Sequence, residues 1–187
     1  MPVADRVNPP PEIDTTMPGL DGPPPEIDVL IGRLTAADAA TRADAAERLC
    51  RAGREAVAAA VPLVKACGDA DEQVREWTVA ALEDLGAPPP NTVADLVPLV
   101  SSDHALVAYW ATTLLGRSGR DAAAATAALA GCLDAAPDRA VAERAAWALG
   151  RIGPAAGSAR AALERAAAAS DPRLARLAQE ALTAIGG

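Results

Sequence analysis

Five copies of one thirteen-residue pattern limit what this chain can fold into. The clearest copy, residues 141–153, reads VAERAAWALGRIG. The others are residues 41–53 (TRADAAERLCRAG), 74–86 (VREWTVAALEDLG), 107–119 (VAYWATTLLGRSG) and 174–186 (LARLAQEALTAIG). In each copy the fifth position is small (Ala45, Thr78, Ala111, Ala145, Ala178), the ninth is leucine (Leu49, Leu82, Leu115, Leu149, Leu182) and the last is glycine. The closing glycines fall at 53, 86, 119, 153 and 186, spacings of 33, 33, 34 and 33. A fixed period of that size marks stacked supersecondary units, none of which buries its apolar face alone.

Within each copy the first, fifth, eighth, ninth and twelfth positions fall on one side of a 3.6-period helix. In the fourth copy these are Val141, Ala145, Ala148, Leu149 and Ile152. The closing glycine suits a helix end, where the backbone turns to positive φ. A second apolar segment follows each glycine, anchored by Leu63, Leu99, Leu129 and Leu163, before a short turn rich in Asp, Pro and Ser. The unit is a helical hairpin whose apolar stripe is buried by its neighbours.

These residues resemble a known family. D-x-x-V-R at 71–75, A-A-W-A-L-G-R-I-G at 145–153 and V-P-L at 61–63 and 97–99 are similar to HEAT repeats, in particular the short bacterial kind grouped with phycobilisome-lyase-like repeats. The period also fits ankyrin and tetratricopeptide repeats. However, no T-P-L-H segment appears, and a chain with no Phe and one Tyr lacks the tetratricopeptide aromatics. The resemblance implies an all-α, right-handed α-solenoid of stacked antiparallel helical hairpins, of HEAT or armadillo type, with about four and a half repeats. The expected division is a proline-rich acidic tail at 1–25 and a solenoid at 26–187. The solenoid comprises a half repeat at 26–36, repeats at 37–69, 70–102, 103–135 and 136–170, and a terminal helix at 171–187.

Residues 1–25 hold eight of the sixteen prolines and read as an extended segment without a core. P-P-P-E-I-D occurs there at 9–14 and again at 23–28. The second copy opens a helix, with Glu26 and Asp28 favourable to its N-terminal dipole; the first, cut short by Pro18-Gly19, is a docking motif or a solvated strap. In the second unit, Ala87-Pro88-Pro89-Pro90 reads as a loop extended by three residues and exposed at one edge. Apolar content is 51%, but with 49 alanines the burial per residue is small, so single units are weak and gain stability as an array.

Charge is unevenly placed. The net is −8, and residues 69–103 alone carry −7, with Arg75 against eight acids. Glu72, Glu76 and Glu83 point away from the Val74/Thr78/Leu82 stripe and share an outer face. That face is either simply solvated or a docking surface for a basic protein or peptide partner. Nucleic acid is disfavoured, because phosphate binding needs a basic stripe. Trp77 and Trp110 share the fourth position and are expected to pack between units. Trp147, at the seventh, either anchors a partner on an outer face or is covered by a neighbour. By the resemblance, the second helices line a concave side, where Val61, Lys65, Val97 and Arg165 offer a smooth groove for a peptide. On the last helix, Leu174, Leu182 and Ile185 are expected to pack back on the fourth unit. Leu177 at the flank is left to a partner or a second copy, so self-association through this helix is open.

No catalytic constellation emerges. His104 is the only histidine, and no metal-ligand spacing, phosphate loop or nucleophile elbow occurs. No cofactor or metal is expected. The three cysteines, Cys50, Cys67 and Cys132, have no paired spacing and read as small core hydrophobes. With no apolar run of about 20 residues and no leader pattern, a cytoplasmic protein is expected. The reading that follows is a non-catalytic interaction scaffold. The alternative, carried only by the resemblance to lyase-type repeats, is an accessory subunit of a chromophore lyase.

Overall fold

The computed structural model describes residues 25–136 and 138–186. The tail and the first P-P-P-E-I-D copy lie outside the described residues. In chain order the helices are α1 (Pro25–Arg33), α2 (Ala39–Ala52), α3 (Ala60–Ala66), α4 (Glu72–Asp84), α5 (Val93–Leu96), α6 (Ala105–Ser118), α7 (Thr126–Ala135), α8 (Arg139–Ile152), α9 (Arg160–Ala167) and α10 (Pro172–Gly186). There is no strand among the described residues. The even-numbered helices carry the thirteen-residue pattern and the odd-numbered ones are their shorter partners. Together they form an all-α solenoid.

The stripe positions form the core. Val141, Ala145, Ala148, Leu149 and Ile152 of α8 are fully buried, as are Val74, Thr78 and Leu82 of α4. Four of the long helices start on an aspartate whose carboxylate accepts a backbone N–H, satisfying an otherwise orphaned donor. Asp38 accepts from Thr41 at 2.8 Å, Asp71 from Val74 at 3.1 Å, Asp138 from Ala140 at 2.6 Å and Asp171 from Leu174 at 3.0 Å. In α6 the same position is His104, which makes no capping bond.

The helix ends behave as the glycines imply, with one difference. Gly53, Gly119 and Gly153 have φ of +55°, +56° and +72° with ψ of −123°, −128° and −142°. That region is open in practice to glycine alone. The second segment of each of these units does not begin as an α-helix directly after the glycine. It winds through seven residues of 3₁₀-helix at Gly53–Ala59, Gly119–Ala125 and Gly153–Ala159. Ala56 and Ala59, Ala122 and Ala125, and Ala156 and Ala159 face inward at 0–1% exposure. Buried methyl groups three residues apart match the three-residue turn of a 3₁₀-helix and admit its tighter winding.

The second unit corrects the sequence reading. Leu96, fully buried, fills the anchor position, while Leu99 is only half-buried. Leu96 follows Gly86 at the interval separating Leu63 from Gly53, so the proline loop is no insertion. It replaces the 3₁₀ entry of the other units with a short turn at Pro90–Thr92, the four-residue α5 and a 3₁₀ stretch at Val97–Ser101. The two V-P-L segments that suggested the longer loop are offset by three residues and occupy different turns.

Stacking is tight between α2 and α4, α6 and α8, and α8 and α10, whereas α4 and α6 approach only at grazing distance. The tenth position of the pattern accounts for the contrast. Gly116 lies under the Trp147 ring, where an added Cβ would come within 2.2 Å of Cζ3; a Cβ added at Gly150 would lie 3.2 Å from the Ala181 Cα. In α4 that position is Glu83, whose side chain cannot be buried unpaired between helices. Trp110 and Arg117 fill the wider gap. Arg117 stacks 5.6 Å from the Trp110 ring and donates to the carbonyls of Leu82 at 2.6 Å and Glu83 at 3.1 Å, capping the end of α4. At the far end, Leu174 and Ile185 of α10 are buried, while Leu177 and Leu182 are half-buried.

Candidate functional site

The gap between α4 and α6 forms a cleft lined by Glu72, Glu76, Val79, Ala80 and Glu83 of α4 together with Leu106 of α6. Its floor is apolar, and Leu106 is 37% exposed, one of two large apolar side chains left open among the described residues. The three glutamates form the rim, all exposed. Among the described residues no cation pairs with any of them. Arg75 belongs to the same cleft, yet its guanidinium turns back to donate to the carbonyls of Asp69 at 2.8 Å and Ala70 at 2.9 Å. The cleft is thus an apolar strip bounded by three carboxylates that form no salt bridge among the described residues, against the single lining cation Arg75.

The shared face of Glu72, Glu76 and Glu83 follows from helical spacing; the floor does not. Leu106 precedes the first position of its copy, where the other copies have Ala40, Gln73, Ala140 and Arg173. That contrast was the available signal, but its meaning depends on the widened α4–α6 gap.

The remaining sequence candidates do not converge. Val61 is a correction: at 9% exposure it belongs to the core. Its helix, α3, packs against both α4 and α6, which leaves Lys65 as its one exposed residue. Lys65 borders a separate cleft with Ile31, Leu34 and Pro62. Val97 is half-buried in the 3₁₀ stretch of the second unit. Arg165 is exposed but engaged, with Nη2 and Nε at 2.6 and 3.2 Å from the Asp134 carboxylate. Trp147 is half-buried across Gly116, far from a free outer position. Trp110 is buried and Trp77 half-buried against the core.

Reactive groups are subdued. Burial pushes the Cys67 thiol up to about 12 and raises Cys132 and Cys50 as well, so none is poised as a thiolate. Among the described residues no cluster of three or more His, Cys, Asp or Glu is arranged to hold a metal ion. No helix described is long and apolar enough to cross a membrane.

Comparison with known proteins agrees with this architecture. The family model for HEAT repeats matches residues 60–145. No curated protein matches the sequence. Among solved structures, the chain is similar to an engineered protein (24% identity, TM-score 0.62, covering 86% of this chain and 79% of that one). It is also similar to a designed armadillo repeat protein in complex with the peptide (KR)4 (20% identity, TM-score 0.62, 85% and 81%). A third is the complex of CpcE and CpcF of phycocyanin lyase from Nostoc sp. PCC7120 (22% identity, TM-score 0.62, 94% and 70%). These likenesses, with the family-model match, show that the chain folds as a HEAT/armadillo-type α-solenoid, the fold that the resemblance of its motifs implies.

Proposed function

We propose that the protein is a non-catalytic interaction scaffold whose α4–α6 cleft receives a basic, amphipathic segment of a protein partner. The observation that carries this is the acidic rim: three exposed carboxylates with no salt-bridge partner among the described residues, set around Val79, Ala80 and Leu106, with Arg75 the one cation in the lining and turned onto backbone carbonyls. An apolar strip by itself attracts any greasy surface; the acidic rim selects a cationic one. Along a helix rising 1.5 Å per residue, Glu76 and Glu83 lie about 6 and 16 Å from Glu72. A partner helix with Lys or Arg at comparable spacing, and Leu or Val between them, meets rim and floor together. The deficit of basic surface in this unit equally argues against nucleic acid as the ligand.

The test is direct titration. A helical peptide with Lys at i, i+4 and i+11 and an apolar stripe is expected to bind the wild type. It should lose at least about threefold in affinity against E72Q/E76Q/E83Q, since exposed ion pairs contribute roughly 0.2–1 kcal/mol each. The same peptide with Glu in place of Lys should not bind. Equal affinity of both peptides for the wild type rejects the cleft as a charge-selective site.

The second reading, an accessory subunit of a chromophore lyase, rests on the structural likeness to the CpcE–CpcF complex. At 22% identity that likeness concerns the fold, which hosts many functions. Co-expression with bilin and an acceptor protein yields a coloured adduct if this reading holds, and none if the scaffold reading does.

A further inference from the structure

A second pocket, with the opposite charge, lies between α6, α8 and α10. It encloses about 270 Å³ and is lined by Tyr109, Glu143, Arg144, Trp147, Arg173 and Arg176, among others. Arg144 is its centre. The guanidinium carbon sits 4.9 Å from the Tyr109 ring centroid and 5.1 Å from that of Trp147, between two aromatic faces. One of its nitrogens donates to the Tyr109 hydroxyl. A guanidinium carries five N–H donors in a planar fork, and among the described residues no carboxylate pairs with Arg144. It is therefore held in one orientation with donors to spare.

The wall of the pocket explains how it stays ordered. Glu143 is 8% exposed and is bridged by Arg139 at 3.0 Å and by Arg173 at 2.9 Å, which satisfies a buried charge. Arg176 pairs with Glu180 at 2.5 Å. With Arg173 paired to Glu143 and Arg176 to Glu180, the unpaired Arg144 leaves the pocket cationic in a chain whose net charge is −8. Trp147 and Leu177 supply apolar surface beside the charge.

We infer that this pocket binds a carboxylate presented by a peptide, with Arg144 as the bidentate donor and Trp147 as the stacking wall. A planar carboxylate matches a guanidinium fork. A phosphate dianion is less well suited, because Arg144 is the one lining guanidinium without a carboxylate partner, and Arg173 and Arg176 are already paired with Glu143 and Glu180. The site is distinct from the acidic cleft: it takes the opposite charge, and the two share only α6, which gives Leu106 to the cleft and Tyr109 to the pocket.

Three indole N–H signals in ¹H–¹⁵N spectra of the full chain provide the readout. The probes are a Glu–Leu peptide with an amidated C-terminus, its Gln–Leu counterpart with a free C-terminus, and inorganic phosphate. The expected result is a saturable shift of the Trp147 indole with at least one of the two peptides. The responding peptide tells whether a side chain or the C-terminus supplies the carboxylate. R144Q should lose about tenfold or more in affinity, R144K should recover part of it, and E72Q/E76Q/E83Q should bind as the wild type does. R173Q, in which the Arg144 stack is untouched, serves as the second variant should R144Q unfold; it should weaken binding as well. Absence of a saturable shift with both peptides, or phosphate binding as well as the carboxylates do, overturns the proposal. So does unchanged binding by folded R144Q, or by R173Q where R144Q unfolds.

Discussion

At the residue scale, much of the sequence becomes intelligible once each residue is read by its place in the repeat. His104 is the example. As the only histidine it invites a catalytic reading, yet it stands where Asp38, Asp71, Asp138 and Asp171 cap the other long helices. It supplies no capping acceptor there. H104D should therefore restore the cap, adding about 1 kcal/mol and raising Tm by roughly 2–4 °C for a chain of this size. Thermal unfolding followed by circular dichroism gives the answer, and an unchanged or lower Tm means that the position is not limited by its cap. Other residues changed meaning when placed. Trp147 looked outward on an ideal helical wheel, but a neighbouring helix whose tenth residue is Gly116 has room to accept it. Val61 was expected on a concave groove by the family resemblance; the packing of α3 against two long helices buries it.

At the scale of elements, contacts between helices depend on single small residues. G116A should destabilise the protein, because the new Cβ meets the Trp147 ring at 2.2 Å, and that ring is itself held by Arg144. Overpacking of this kind costs about 1–3 kcal/mol, more than the gain of up to about 1 kcal/mol from alanine's helix propensity. G131A in α7 is the control: nothing lies within 4 Å of its added Cβ, so propensity alone acts and Tm should rise. If both variants shift Tm in the same direction, the close approach of α6 and α8 does not depend on that glycine.

The long helices, their stripes and their closing glycines were legible in the sequence because a thirteen-residue pattern fixes phase. The 3₁₀ entries were not, since runs of alanine carry no periodic contrast between inside and outside. The second unit was misread because V-P-L at 97–99 resembles V-P-L at 61–63, although the buried leucine there is Leu96.

At the scale of the whole molecule, the solenoid is not uniform. Three of the four interfaces between successive long helices are close, and the fourth, between α4 and α6, is open. The open interface carries the densest acidic stretch, residues 69–103 at −7. It also leaves Leu106 uncovered. Two units later the surface changes sign around Arg144. The acid cluster was legible as a shared face, but the gap that turns it into a cleft was not. Spacing between helices depends on which side chains meet across it, and those partners are 33 residues apart. An array of this kind presents chemically distinct surfaces at fixed separations, which is what a scaffold requires.

The most direct measurement is parallel affinity capture from the native host on immobilised wild type and on E72Q/E76Q/E83Q, eluted with a salt gradient. The account predicts a stoichiometric protein on the wild type that elutes at moderate salt, carries a basic amphipathic segment, and is missing from the variant. The same proteins eluting from both at the same salt would contradict it.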